Sequence, residues 1–191
     1  PVPFVGDEVV AAVMERAIRP TLAELARRDA EYRGVLFCGL MLTADGPKVI
    51  EYNIRFGDPE CQVLVPRLTS DLYVHLAECA AGRVETSVTT GADACVGVVM
   101  AAEGYPPAPV HRGDPITGLD AAARRPGVAV FHSGTATGPD GAITATGGRV
   151  LTGTATGPTV RAARDAAYAA ADDISWSGVH YRRDIAAQAL S

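Results

Sequence analysis

Three polar side chains alternate along one β-like run of the chain, at Glu51, Asn53 and Arg55. Because successive residues of a strand point to opposite faces, these three are expected to share one face, while Ile50, Tyr52 and Ile54 are expected to pack on the other. A carboxylate beside an amide oxygen offers the hard oxygen ligands that Mg²⁺ prefers. An arginine one step further along supplies a planar fork for phosphate or carboxylate oxygens. The pattern predicts a corner where a metal ion, a phosphate and an anionic substrate meet.

The residues after Arg55 separate this run from the solvated face of an ordinary strand, which alternates in the same way. Asp58 and Glu60 flank a proline directly after the Arg-Phe-Gly sequence. Two carboxylates close to a phosphate-binding arginine suit a site that handles a cationic amine together with a metal-bound phosphate. The loop is therefore predicted to face a substrate.

The run that carries these residues is predicted to be the second strand of a β-hairpin. Two β-rich segments flank Ala-Asp-Gly-Pro at residues 44–47, and Asp-Gly is a strong signal for a tight turn. Ahead of the hairpin, apolar residues recur at helical spacing over residues 7–30, with Asp7 as the expected N-cap. Pro20 removes a backbone donor, so a kink or break is expected near Arg19.

The rest of the chain predicts two units. Two helical pieces follow the acidic loop, the second capped by Ser70 or Asp71. The small, polar segment at residues 86–94 is interpreted as the link between a unit at 1–90 and a unit at 91–191.

The second unit combines strands and helices. Short β runs punctuated by glycine turns precede an alanine-rich helix at residues 159–173, after which a short strand and a closing helix are expected. This mixed order predicts an α+β fold class, with antiparallel strands and helices.

The composition excludes several function classes. The 191 residues carry a formal net charge of −5, with acidic and basic residues mixed along the chain, so the basic stripe of a nucleic-acid-binding protein is absent. The apolar stretches are too short to span a membrane. Four cysteines stand singly, without the spacing of a zinc site, and are expected to be reduced and mostly buried in a cytoplasmic protein.

The sequence GVLFCGLMLTADGPKVIEYNIRFGDPECQVLVPRL closely resembles the end of the ATP-grasp domain in the phosphoribosylamine–glycine ligase family, the glycinamide ribonucleotide synthetases. The Glu-x-Asn pair followed by arginine is shared across ATP-grasp ligases, whereas RFGDPE followed by Cys61 and Gln62 is much narrower. The resemblance continues through GVVMAAEGYP, VFHSGT, GGRVL and YRRDIAAQAL. It implies the second lobe of an ATP-grasp domain followed by a small α+β C-terminal domain.

The resemblance also implies an activity, a step of de novo purine biosynthesis in the cytoplasm. Members of the family use ATP to form glycyl phosphate, which 5-phosphoribosylamine attacks to give glycinamide ribonucleotide, ADP and phosphate. Glu51 and Asn53 match the ligands of Mg²⁺ or Mn²⁺ that hold the metal–ATP complex. Arg55 matches the catalytic arginine beside the transferred phosphate and the glycine carboxylate. Asp58 and Glu60 lie in the matching signature loop, where their charge predicts contact with a substrate amine.

Parts of the family pattern have no equivalent here, namely the glycine-rich loop that covers ATP, the adenine-contacting segment and the phosphate-binding lysine. Lys48, the only lysine, is expected to be a surface residue. The chain is therefore expected to be the C-terminal part of a ligase whose N-terminal part is missing, to carry one wall of the site and to be inactive alone. Two alternatives stay open: a non-catalytic ATP-grasp-like binding or interaction module, and another ATP-grasp carboxylate–amine ligase.

Other candidate residues carry weaker signals. His75 falls in a helical pattern and is expected to be a partly buried structural histidine, while His132 ends a predicted strand and could face substrate. The glycine pair at residues 147–148 lacks the spacing of a phosphate loop and predicts a tight turn. Arg182 belongs to a charged cluster that either binds phosphate or forms surface ion pairs.

Overall fold

Two units make up the chain in the computed structural model, which describes residues 2–107 and 109–190. The first unit comprises the chain up to Asp58 together with Leu68–Thr90. The second comprises Pro59–Arg67 and the chain from Gly91 onwards.

A long helical stretch opens the first unit and changes its hydrogen-bonding pattern at the predicted position. It consists of α1 at Asp7–Val13, a π-helical turn at Met14–Ile18, and α2 at Arg19–Arg27. The π turn ends just before Pro20, which lies in the first turn of α2, where its missing N–H group costs least. The N-cap is Gly6 rather than Asp7, which is already the first residue of α1, so that detail of the prediction is wrong.

The predicted hairpin is present. Strand β1 at Phe37–Thr43 pairs antiparallel with β2 at Gly46–Asn53. Gly46 has a φ of +94°, which an L-residue rarely adopts, and Thr43 Oγ1 donates a hydrogen bond to its carbonyl oxygen over 2.8 Å. The register shifts between Gly39 and Leu40, so β2 contains a one-residue β-bulge.

Helix α4 at Leu72–Ala80 completes the first unit. Asp71 is its N-cap, since the Asp71 carboxylate accepts a hydrogen bond from the Tyr73 backbone N–H over 2.8 Å. An isolated β-bridge pairs Leu68, before α4, with Thr90, after it.

A three-stranded antiparallel sheet forms the centre of the second unit, in the order β3-β7-β4. The strands are β3 at Ala94–Ala101, β4 at Val128–His132 and β7 at Arg149–Gly157, and helix α6 at Val160–Asp173 packs on the sheet. The Thr159 hydroxyl caps α6 by accepting from the Ala162 N–H over 3.1 Å. Met100, Val98 and Leu151 are fully buried in this core.

Smaller elements flank the sheet. They are α3 at Glu60–Leu64 with a 3₁₀ turn at Val65–Arg67, α5 at Leu119–Ala123, and the strand pair β5 at Thr135–Thr137 and β6 at Ile143–Ala145. The short helix α5 was not anticipated from the sequence.

The closing helix predicted at the end of the chain is wrong. Within the described residues, the end of the chain has a 3₁₀ turn at Ala187–Ala189. The expected short strand is reduced to two isolated bridges, which pair Ser175 with Thr117 and His180 with Ala101. Tyr168 on α6 fixes this tail instead, since its hydroxyl donates to the Arg182 carbonyl over 2.7 Å and accepts from the Ile185 N–H over 3.0 Å. Contacts with α6 therefore replace the regular hydrogen bonds of a helix.

The α+β prediction is confirmed by this arrangement of helices and antiparallel sheets. No helix within residues 2–107 or 109–190 is long and apolar enough to cross a membrane. All four cysteines are free, and each is partly rather than fully buried, so the expectation of mostly buried thiols is too strong.

Candidate functional site

Glu51 and Asn53 lie side by side near the end of β2. Their cross-strand partners on β1 are Gly39 and Phe37, so all four positions belong to one face of the hairpin. Asn53 Nδ2 donates a hydrogen bond to Glu51 Oε1 over 3.0 Å, and the Glu51 side chain is exposed to solvent. The structure thus brings the predicted carboxylate and amide into direct contact.

The space occupied by the Glu51 side chain depends on Gly39. A Cβ atom placed on Gly39 would approach Glu51 Cγ to 3.1 Å, closer than most side-chain contacts. Gly39 was missed as a functional residue, although glycine in the middle of a strand is a known signal for a close approach. Its lack of a side chain leaves the space that the Glu51 side chain occupies.

Arg55 does not lie on the strand. Because β2 ends at Asn53, Arg55 falls in a bend, and the expectation that strand alternation aligns it with Glu51 and Asn53 is wrong. The Arg55 guanidinium donates a hydrogen bond from Nη1 to the Phe56 carbonyl oxygen over 2.8 Å. The side chain is exposed, so the remaining guanidinium donors can meet an anion.

Asp58 and Glu60 fall on either side of the division between the two units. Asp58 is exposed in a turn at the end of the first unit, and Glu60 is the exposed first residue of α3 in the second. The two predicted substrate-binding carboxylates therefore belong to different units.

The Glu51–Asn53 pair fits a magnesium ion in type and number of ligands. It offers carboxylate and amide oxygens on an exposed strand face, and Mg²⁺ is commonly held by one or two such side chains, with water and phosphate oxygens completing the octahedron. No group of three or more His, Cys, Asp or Glu side chains in the described part of the chain is arranged to hold a metal. A cation held by these two side chains would take its remaining ligands from water or phosphate oxygens.

The opposite face of β2 contacts the helical stretch. Tyr52 accepts a hydrogen bond at its hydroxyl from Thr21 Oγ1 over 3.0 Å and donates one to the Ala17 carbonyl over 3.4 Å. Val49 and Tyr52 line a groove against this helix. Ile50 and Ile54, expected to pack on the same face, are 63% and 76% exposed, so that part of the prediction is wrong.

The remaining histidine, glycine and arginine candidates have structural partners. His75 is 8% exposed in α4, and its Nε2 atom lies 2.7 Å from Ser70 Oγ, in line with the expected structural histidine. His132 Nδ1 lies 3.0 Å from Thr135 Oγ1. Residues 147–148 form the predicted turn between β6 and β7. Arg182 pairs with Asp184 over 2.6 Å, so this part of the charged cluster forms surface ion pairs.

Two of the four thiols, Cys38 and Cys95, are poorly suited to act as nucleophiles. Burial raises the pKa of Cys38 and of Cys95, and the nearby Arg67 guanidinium opposes only part of that effect at Cys95. Both side chains therefore stay protonated at neutral pH, whereas a nucleophilic cysteine needs a lowered pKa. The chemistry of the chain is better sought on the hairpin.

Comparison with protein families gives two matches in chain order. Residues 1–61 match the ATP-grasp (A) domain of phosphoribosylglycinamide synthetase, and residues 95–188 match the C domain of the same enzyme family. The chain belongs to the phosphoribosylglycinamide synthetase family. The Glu51–Asn53 strand and Arg55 thus lie within the part that matches the ATP-grasp domain, as does Asp58.

Curated relatives agree over the whole chain. A phosphoribosylamine–glycine ligase of Mesorhizobium japonicum is 47% identical and one of Brucella melitensis is 48% identical, each over 100% of this chain and 44% of the relative. A chloroplastic phosphoribosylamine–glycine ligase of Arabidopsis thaliana is 45% identical, again over 100% of this chain but 36% of the relative. The chain therefore spans less than half the length of these relatives.

Solved structures support the same fold. The crystal structure of a phosphoribosylamine–glycine ligase from Thermotoga maritima superimposes with a TM-score of 0.79 and 35% identity, over 96% of this chain and 44% of that protein. N5-carboxyaminoimidazole ribonucleotide synthetase from the same organism gives a TM-score of 0.61 at 15% identity, which indicates a shared fold alone. The predicted ATP-grasp architecture is thereby confirmed.

Proposed function

We propose that this chain forms part of an ATP-dependent ligase that joins glycine to 5-phosphoribosylamine. The products would be glycinamide ribonucleotide, ADP and phosphate, formed through a glycyl phosphate intermediate. The observation that carries the proposal is the contact between Glu51 and Asn53 on a strand that runs directly into the Arg-Phe-Gly-Asp-Pro-Glu loop. Family membership and the names of the longer relatives support it.

The residues of the hairpin have distinct roles in this proposal. Glu51 and Asn53 hold Mg²⁺, with Mn²⁺ as a substitute, and orient the ATP phosphates. The bound metal supplies neutralisation of charge on the transferred phosphoryl group. Arg55, the proposed catalytic residue, places its planar fork between that group and the glycine carboxylate, two anions that would otherwise repel each other.

The signature loop would recognise the remaining substrate groups. Asp58 and Glu60 are exposed carboxylates, suited to the amine of glycine or of phosphoribosylamine. Their negative charge would hold the attacking amine near the acyl phosphate. This positioning would accelerate the attack. Arg55 is proposed to assist them by binding the carboxylate end of glycine.

We infer that the hairpin forms one wall of the site. Residues 1–90 would be the C-terminal lobe of an ATP-grasp domain, and residues 91–191 the C-terminal domain of the ligase. A further segment, of the kind that makes up the rest of the longer relatives, would supply the opposing wall that covers the nucleotide. The chain alone would then be inactive.

The test replaces Glu51 or Asn53 with Ala in a ligase of the relatives' full length that carries this sequence. Turnover of glycine, phosphoribosylamine and ATP is measured against Mg²⁺ concentration. Each variant should lose most of its activity or need far more Mg²⁺, because one of two protein ligands is gone. Unchanged turnover with unchanged metal dependence in both variants would contradict the metal assignment.

A second measurement separates the ligase from a non-catalytic binding module. The full-length protein should hydrolyse ATP only when both glycine and phosphoribosylamine are present. If Mg-ATP binds but is never consumed with any combination of substrates, the chain belongs to a binding module instead.

A further inference from the structure

The β-bulge in the hairpin changes which side chains share the face of Glu51. Strand β1 runs without interruption and pairs Phe37 with Asn53 and Gly39 with Glu51. One step further along the same face, however, Met41 pairs with Lys48 instead of Val49. The extra residue in β2 is Ile50, which has no partner in this register.

Lys48 therefore lies on the same face of the hairpin as Glu51 and Asn53, the two proposed metal ligands, which are called the metal pair from here on. Directly paired residues of antiparallel strands lie on the same face, and alternate residues of an uninterrupted strand do so too. In an unbulged strand a residue three positions before Glu51 would face the opposite way. The extra residue Ile50 changes the direction in which Lys48 faces, so that Lys48, Glu51 and Asn53 lie on one face in that order.

The other side of β2 agrees with this assignment. Val49 and Tyr52 are three residues apart, which regular alternation would place on opposite faces, yet both line the groove against the helical stretch. The same one-residue shift explains both observations.

The ammonium group of Lys48 is exposed and has no partner among the described residues. Among residues 2–107 and 109–190, no hydrogen bond or ion pair involves it, and the carboxylate of Glu51 accepts from Asn53 instead. Lys48 is also the single lysine in a chain with 17 lysine and arginine residues. The one compact, flexible cation of the chain is thus exposed on the strand that carries the metal pair.

The order of charges along the strand suits a polyphosphate or a phosphate ester. A strand rises about 3.3 Å per residue, so Lys48 lies within roughly 10 Å of Glu51 at the backbone, a distance that a four-carbon stem can largely bridge. The metal pair is followed in sequence by Arg55, which is suited to the transferred phosphate. Lys48 is the cation that precedes the pair.

We propose that Lys48 is a phosphate-binding residue of this site, and this inference rests on the proposed ligase function. Its ammonium group neutralises phosphate oxygens on the side of the metal pair away from Arg55. The phosphate belongs either to the nucleotide or to the 5-phosphate of phosphoribosylamine, two sources with the same chemistry. Lysine binds such oxygens as a point charge, without needing the planar geometry of arginine.

The test measures binding rather than turnover, so that it does not depend on the ligase activity. Isothermal titration calorimetry of the full-length protein gives dissociation constants for Mg-ADP and for ribose 5-phosphate. Lys48→Met should weaken one of the two by roughly tenfold or more, the usual effect of losing a charge-assisted hydrogen bond. The affected ligand identifies the source of the phosphate. Lys48→Arg, which keeps the charge, should retain most of the affinity.

Two controls isolate the position of the charge. Arg16→Met removes an exposed positive charge from the helical stretch of the same unit and should leave both dissociation constants unchanged. The exchange variant Lys48→Val with Val49→Lys keeps composition and net charge but moves the ammonium to the opposite face, so it should bind as weakly as Lys48→Met.

Three outcomes would overturn the inference. The first is an unchanged affinity of Lys48→Met for both ligands. The second is a loss of affinity in Arg16→Met equal to that in Lys48→Met. The third is an affinity of the exchange variant equal to that of the wild-type protein. Melting temperatures equal to that of the wild-type protein would show that the variants are folded. The proposed function is judged separately, since it fails if the wild-type protein binds these ligands but never forms glycinamide ribonucleotide.

Discussion

Gly39 lies directly opposite Glu51 in the hairpin, and a methyl group on Gly39 would come within 3.1 Å of Glu51 Cγ. The carboxylate of Glu51 keeps its position next to Asn53 because the neighbouring strand has no side chain there. A residue without a side chain therefore controls where the side chain of a proposed metal ligand can lie. This relationship allows the metal site to be perturbed without removing either ligand.

Gly39→Ala should raise the Mg²⁺ concentration needed for half-maximal ligase activity by roughly tenfold, as is typical when a residue that orients a metal ligand is changed. The maximal rate at saturating Mg²⁺ should change less, since both oxygen ligands remain. The measurement is a Mg²⁺ titration of turnover in the full-length protein.

Gly6→Ala is the matched control for this change. Nothing lies within 4 Å of a Cβ at Gly6, and its φ of −85° is ordinary for alanine. Its metal dependence should equal that of the wild-type protein. If both glycine variants shift the Mg²⁺ requirement equally, the contact with Glu51 is not the cause.

Neighbouring residues on opposite faces of β2 should respond in opposite ways. Tyr52→Phe removes the hydroxyl that bonds Thr21 and Ala17, and should lower the free energy of unfolding of the first unit by about 1 kcal/mol. Its Mg²⁺ dependence should stay unchanged. Asn53→Ala should change the Mg²⁺ dependence and leave stability within about 0.5 kcal/mol.

Thermal unfolding followed by circular dichroism, together with Mg²⁺ titration, measures both quantities for each variant. The face assignment requires the two effects to separate. A Tyr52→Phe variant with an altered metal requirement would show that the two faces are not independent.

The sequence predicts the hairpin well but not its register. Alternating residues and an Asp-Gly turn depend on local preferences, so the strands and the contact between Glu51 and Asn53 could be anticipated. The bulge at Ile50 could not, because it leaves the local pattern unchanged and appears only when β1 is laid against β2. For this reason the sequence gives no sign that Lys48 shares a face with Glu51 and Asn53.

The second unit shows the same limit at its end. The alanine-rich helix α6 was predicted almost to the residue, since its alanine-rich spacing is a local signal. The tail after it was predicted as a helix but is fixed by Tyr168 and by Arg164, whose guanidinium donates to the Ile185 and Arg183 carbonyls. Such long-range side-chain contacts have no periodic signature in the sequence.

Acid should weaken the second unit through the ion pair between Arg125 and Asp173. Arg125 donates two hydrogen bonds to the Asp173 carboxylate, over 2.5 and 2.9 Å, and these hold the pKa of Asp173 below its usual range. A carboxylate with a lowered folded-state pKa stabilises the fold above its unfolded-state value of about 3.9, and this contribution is lost as the pH falls through the lower, folded-state value. The wild-type protein should therefore lose more stability on acidification than Asp173→Asn.

Trp176, the single tryptophan, is 5% exposed in this unit, so its fluorescence reports the unfolding of the unit. Melting temperatures of the wild-type protein and Asp173→Asn should differ near neutral pH. They should begin to converge below about pH 4, as the pH falls towards the lowered folded-state pKa of Asp173. Arg125→Gln should behave like Asp173→Asn, and the double variant like either single one. A difference that stays constant with pH would exclude the ion pair as the cause.

Two glycines with nearly the same backbone angle should tolerate alanine very differently. Gly118 and Gly141 have φ of +82° and +81°, so alanine at either position costs about 1 kcal/mol from the left-handed backbone alone. A Cβ on Gly141 meets nothing within 4 Å, whereas a Cβ on Gly118 would overlap the Asp173 carbonyl oxygen at 1.9 Å. Gly118→Ala should therefore lower the free energy of unfolding by several kcal/mol more than Gly141→Ala, as measured by denaturant titration of Trp176 fluorescence. Equal losses would mean that α5 can move away from the end of α6 at little cost.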